Sequence, residues 1–216
     1  MNSTAKLITE FIGTFFLCLV VALCVGNADL PTGAKLLSIG SVLMVMIYAG
    51  GHISGGHYNP AVTMAVLVRG RIKMSEAVMY WVAQILAGVV AALLATAVFG
   101  ASGDGGAGTI ADDGLTAALI GELLGTFALA YVVLNTATAK ETAGNSNYGL
   151  AIGFTVVACG IALGGFSGGA FNPSVAVSQS IASFFSWGDI WVYLVACLAG
   201  GALAGLVFNM NNPDDK

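Results

Sequence analysis

The sequence has little charge. Asp, Glu, Lys and Arg make up only 8% of its 216 residues, where a soluble domain carries about 25%. With 57% hydrophobic residues and a mean hydropathy of +0.90, too few polar side chains remain to cover a water-facing surface, which excludes one large soluble core. No basic cluster suited to nucleic acid occurs; the acids gather in one loop (Asp104, Asp112, Asp113) and near the C-terminus (Asp214, Asp215). The four cysteines, Cys18, Cys24, Cys159 and Cys197, lie in apolar runs without CxxC spacing, which makes them packing residues rather than disulfides or metal ligands. A nucleotide-binding glycine motif, a nucleophilic Ser–His pair and a metal cluster are all missing, so neither an enzyme nor a cofactor is expected. The first apolar run carries Glu10 and has a counterpart later in the chain, which argues against a cleavable signal peptide.

Long apolar runs are what the chain does have. A membrane-spanning helix needs about 20 such residues, and six stretches qualify: 7–25, 34–50, 75–99, 115–136, 147–163 and 187–209. The positive-inside rule orients them. With a cytoplasmic N-terminus, Lys6, Arg69, Arg71, Lys73, Lys140 and Lys216 fall inside and only Lys35 falls outside. The base-free loop 100–114 is then extracellular and both termini are cytoplasmic, with the plasma membrane as the expected location. The partners are the lipid bilayer and no nucleic acid.

The short second and fifth spans each run into a glycine-rich stretch, GGHISGGHYNPAV (50–62) and LGGFSGGAFNPSV (163–175). Both read S-G-G-x-aromatic-N-P-small-V, with Asn59 and Asn172 placed 113 positions apart. Other segments repeat too: TEFIGTFFL (9–17) matches GELLGTFAL (121–129), pairing Glu10 with Glu122 and Gly13 with Gly125, and AQILAG (83–88) matches VACLAG (195–200) at an offset of 112. Three spans and one half-length helix per copy force the second copy to insert upside down. The reading is a single domain over 1–216, with inverted repeats at about 5–99 and 115–209.

Irregular backbone at membrane depth is tolerated only where protein or a water-filled cavity satisfies it. Pro60 and Pro173 suit the first helical position and Asn59 and Asn172 the cap before it. Each re-entrant half-helix would therefore point its N-terminus, with about half a positive charge, at the membrane centre. The pairs Gly121/Gly125 and Gly201/Gly205 read as close helix-packing faces.

The two motifs (Asn59-Pro60-Ala61 and Asn172-Pro173-Ser174), the E-x-x-G-T-F openings and the six-plus-two layout resemble the aquaporin and glycerol-facilitator family of major intrinsic proteins over nearly the whole chain. The resemblance implies an all-α, aquaporin-like bundle of six transmembrane helices and two half-helices, assembled as a homotetramer with one pore per subunit. It implies that Asn59 and Asn172 donate N–H bonds to the permeating molecule and that Glu10 and Glu122 brace the re-entrant loops. His52 and His57 correspond to residues that line or brace the cytoplasmic vestibule; with no third ligand nearby, metal binding is not expected.

One departure bears on selectivity. Most members follow the second motif with an arginine that lines the narrow outer filter, and here that position is Val175. The other filter positions fall at Ile39, Gly160 and Gly169, leaving a wide opening without fixed charge unless Tyr58, Phe166, Phe171 or loop residues fill it. Ser174 replaces the usual alanine, and its hydroxyl is expected to bond its own helix terminus. The expected function is a passive channel for water or small uncharged solutes such as glycerol, urea or ammonia. A coupled secondary transporter is the alternative, because inverted repeats with broken helices serve there too.

Overall fold

The computed structural model describes residues 3–104, 110 and 112–215. Among them the chain is helical and forms no strand: α1 (Ser3–Gly26), α2 (Thr32–Ser54), α3 (Pro60–Arg69), α4 (Met74–Phe99), α5 (Leu115–Val133), α6 (Tyr148–Ser167), α7 (Pro173–Ile181) and α8 (Ile190–Asn211). All but the short α3 and α7 are long and apolar enough to cross a membrane. Large apolar side chains stand exposed along them, Ile12, Leu86, Leu93, Phe154 and Val195 among others, as suits a protein whose solvent is lipid. Lys216 and residues 105–109 and 111 of the 100–114 loop lie outside the described residues.

The second and fifth spans are longer than their apolar runs suggested. Helices α2 and α6 continue through the glycines at 50, 51, 164 and 165 to reach 23 and 20 residues. They stop where the first glycine of each S-G-G turns left-handed, at Gly55 (φ 92°) and Gly168 (φ 93°). There the glycine N–H caps the carbonyl of Gly51 or Gly164. Glycine is the residue that ends a helix this way without a steric cost.

The packing is two-fold in pattern. Helix α1 packs on α2 and α4 as α5 packs on α6 and α8, while α3 lies on α8 and α7 on α4. Helices α2 and α6 meet where Gly40 and Gly153 face each other, each leaving no room for a side chain beside the other's carbonyl. The half-helices dock in the same way, with Ser174 O 2.8 Å from the position a Cβ at Gly88 would take and Ala61 O closer still at Gly201. Gly88 and Gly201 are equivalent residues, so the third span repeats at an offset of 113 and not 112. The shorter offset pairs similar letters, but only 113 also superposes Tyr80 on Tyr193 and Gln84 on Cys197, which make matching contacts.

Of the expected packing pairs, Gly201 and Gly205 hold α3 against α8. Gly125 instead makes room for the ring of Phe171, and Gly121 meets nothing closer than 3.8 Å. At one end of the bundle Lys6 pairs with Glu76 at 2.7 Å, and Asp215 bridges Arg69 (3.1 Å) and Arg71 (3.0 Å). Asp215 also accepts the N–H of Lys140. That N–H, and then the two guanidiniums, hold its carboxyl below the usual carboxylate range.

Gly201→Ala should drive a methyl into the Ala61 carbonyl and destabilise the fold by about 1–3 kcal/mol, the usual cost of overpacking. Gly33→Ala, where nothing lies within 4 Å, should be neutral or slightly stabilising. Thermal unfolding in detergent compares the two.

Candidate pore and its lining

Two loops meet in the middle of the bundle, and each is held by one carboxylate. Glu10 on α1 is fully buried; its Oε1 accepts from Ser54 Oγ (2.6 Å) and His57 N (3.0 Å), and its Oε2 from Tyr58 N (2.7 Å) and Gln84 Nε2 (2.8 Å). Glu122 on α5 repeats the set with Ser167 Oγ (2.6 Å), Ala170 N (2.9 Å), Phe171 N (2.8 Å) and the Cys197 thiol (3.4 Å). Every partner is a donor, which suits an ionised carboxylate that only accepts.

The residue before each Asn is aromatic and left-handed, Tyr58 at φ 48° and Phe171 at φ 47°. Bulky residues avoid this region, so the surroundings must hold them there. The N–H of each is tied to its glutamate, and each ring sits where Gly13 or Gly125 leaves out a side chain. The glycine of each E-x-x-G-T-F segment is therefore a seat for an aromatic ring of the re-entrant loop. Tyr80 and Tyr193 complete the frame by donating their hydroxyls to the carbonyls of Ser54 and Ser167.

Both asparagines cap their half-helices and tie the two loops together. Asn59 Oδ1 accepts from Ala61 N (2.8 Å) while its Nδ2 donates to Phe171 O (2.9 Å). Asn172 Oδ1 accepts from Ser174 N (2.9 Å) while its Nδ2 donates to Tyr58 O (3.0 Å). A primary amide has two N–H groups, so one on each asparagine remains for another acceptor.

That acceptor would enter through a cavity of about 760 Å³ bordered by both asparagines. Its wall is mostly apolar, with Leu17, Leu43, Leu129 and Ile152 among its residues. Ile39, Gly160, Gly169 and Val175 all border it, as does His57, whose ring Nδ1 lies 3.0 Å from Thr63 Oγ1. His52 is exposed on α2 and does not border it. Of the three rings that could narrow the opening, Phe166 and Phe171 border the cavity and Tyr58 does not. Tyr58 is turned away, with its hydroxyl on Met46 O; Phe171 seats its ring on Gly125; Phe166 stands at the cavity's edge, 56% exposed. Lys35 borders the same cavity toward its mouth, with Nζ 3.3 Å from Val25 O.

A profile of the family described as Major intrinsic protein matches residues 1–208. The chain belongs to this family. Aquaporin TIP1-1 of Arabidopsis thaliana is 36% identical over 190 residues, which cover 85% of this chain and 74% of the relative. Aquaporin TIP1-2 of Zea mays is 38% identical over 188 residues, covering 86% and 74%. Probable aquaporin NIP4-2 of Arabidopsis thaliana is 33% identical over 220 residues, covering 99% and 76%. Among solved structures, the aquaglyceroporin from Plasmodium falciparum shares the fold, with a TM-score of 0.80 over 96% of each chain at 22% identity.

Within this major intrinsic protein fold, several contacts escape a reading of motifs. Gln84 and Cys197 complete the donor sets of the two carboxylates, and only the register of the third-span repeat, Tyr80 over Tyr193, could have pointed to them. The hydroxyl of Ser174 does not bond its helix terminus, because Asn172 already caps that N–H; Ser174 Oγ is buried without a partner among the described residues. Gln179, not singled out by any motif, is 1% exposed, borders the cavity and has no partner for either amide atom among the described residues. An unpaired buried amide group costs about 1–3 kcal/mol.

Glu10→Gln should turn an NH2 group toward at least one loop N–H and leave both donors without an acceptor. A loss of about 1–3 kcal/mol in stability is expected, with a similar loss for Glu122→Gln. Thermal unfolding in detergent measures it; an unchanged midpoint in both variants would contradict the brace.

Proposed function

We propose that the protein is a passive channel for water and small uncharged solutes, and that the two asparagines are its central contact points. The cavity carries this reading: it runs to Asn59 and Asn172, where two half-helices present their N-termini and each amide keeps a free N–H. A neutral solute with an oxygen acceptor finds donors there, whereas a cation meets two positive helix ends and loses its hydration. The relatives are named as aquaporins, which supports transport rather than catalysis.

Val175, Ile39, Gly160 and Gly169 form the outer filter in this reading, wider and less polar than one lined by arginine. Lys35 adds a cation nearer the mouth and so contributes to cation exclusion from a different position. Against coupled transport stands the use of the intramembrane carboxylates: Glu10 and Glu122 have their oxygens filled by loop donors and are not open to bind a coupling ion. In this reading the basic end of the bundle faces the cytoplasm, as the positive-inside rule favours, with both termini inside the cell and the plasma membrane as the location. Exposed apolar faces leave surface for copies of the chain to pack, and the family resemblance implies four.

Proteoliposomes test the reading. Downhill water and solute flux that ignores ion gradients is expected, and flux that follows an ion gradient would favour the transporter. Val175→Arg should cut glycerol passage about tenfold or more and water far less, because a guanidinium narrows the opening but leaves room for the smallest solute. An unchanged ranking of solutes would place the filter elsewhere.

A further inference from the structure

Gln179 is the buried side-chain amide left without a partner among the described residues: Gln84 bonds Glu10 and Thr63, and Asn59 and Asn172 cross-link the loops. It stands on the cavity face of α7. Asn172, Val175 and Gln179 are spaced three and then four apart, one face of a helix, and all three border the cavity. Because α7 starts at the loop junction, Gln179 sits one turn beyond Val175, roughly 6 Å farther from the asparagines. Its own carbonyl accepts the N–H groups of Phe184 (2.8 Å) and Phe185 (3.2 Å), which fold the next segment back beside it, and both these residues border the cavity too. The residue borders the route to the asparagines, but both amide atoms are enclosed in this packing, so the side chain must turn toward the cavity to meet a solute.

We propose that Gln179 contacts the solute in the outer part of the cavity and makes the channel favour amide solutes, such as urea and formamide, over polyols of similar size. This rests on the channel reading. A primary amide sets a donor and an acceptor side by side in one plane, so it can form two parallel hydrogen bonds with another amide. Glycerol has to orient a rotating hydroxyl for each bond and loses torsional freedom in doing so. Ile39 and Val175 offer no competing polar group, and the glycines at 164, 165, 168 and 169 leave backbone open to the solute's other polar atoms. The expected discrimination comes from shape-matched hydrogen bonding and needs no charge at the filter position.

Stopped-flow measurements on proteoliposomes would compare water, urea, formamide and glycerol for the wild type, Gln179→Met and Gln179→Asn. Methionine keeps the length and volume but removes both amide groups; asparagine keeps the amide but withdraws it by one carbon. Gln179→Met should lower urea and formamide permeability about fivefold or more, one net hydrogen bond's worth, with water and glycerol changed less than about twofold on that scale. Gln179→Asn should fall between. The melting temperature of Gln179→Met should be equal to or above the wild type's, because an unpaired amide has been removed from a buried site. Equal losses for all four solutes, no loss for any, or unfolding of both variants would overturn the proposal, the last by assigning Gln179 a structural role. A wild type no more permeable than protein-free liposomes would instead overturn the channel reading itself.

Discussion

Two stretches of non-helical backbone lie in the middle of an apolar bundle, and their N–H groups need acceptors that no solvent supplies. Glu10 and Glu122 meet that need, and much of the architecture follows from keeping them in place. Each carboxylate takes two consecutive loop N–H groups, which requires the chain to curl tightly after its span. The curl uses left-handed backbone at Gly55, Gly56 and Tyr58, and again at Gly168, Gly169 and Phe171. The aromatic rings then need a place, and Gly13 and Gly125 leave it, one turn along from the glutamates that hold the same loops. Serine, glycine, aromatic and asparagine in these stretches are thus parts of one hydrogen-bonded turn.

The two halves share this frame but differ in polarity. The first surrounds its carboxylate with Gln84, Thr63 and His57, which bond one another or lie within bonding distance. In the second, the equivalent residues are Cys197, Ala176 and Ala170, and a thiol at 3.4 Å takes the place of an amide at 2.8 Å. One side of the junction therefore carries a dense polar network and the other a thinner one lined by small residues. The thinner side holds the second half-helix, whose cavity face carries Val175 and Gln179.

If Val175 stands at the filter, as proposed, valine in place of arginine removes a charge and several donors from one place. Here the charged and polar groups on the same cavity stand apart, with Lys35 toward the mouth and Gln179 one helical turn beyond Val175. In the proposed channel, cation exclusion rests on helix dipoles, dehydration and Lys35, and the choice among neutral solutes on neutral hydrogen-bonding groups.

Much of this was legible in the residues. Membrane insertion followed from too little charge and long apolar runs, and the six-plus-two layout from two N-P motifs in a repeat with an odd number of spans. These are local signals: an apolar length, a cap and a proline at a helix start act within a few residues. The ends of α2 and α6 were less legible: Gly50, which would weaken an isolated helix, packs against Tyr58 and Thr9, whereas α6 runs through Gly164 and Gly165 without close neighbours at either. Which polar side chains face the cavity was decided only by the tertiary structure. His52 and His57 flank the same glycines, yet one is exposed and the other borders the cavity, because the helix ends between them and the chain reverses. Gln84, Cys197, Lys35 and Gln179 carry no motif. Their roles depend on how each helix is rotated against partners far away in the chain, and periodicity within one helix does not encode that rotation.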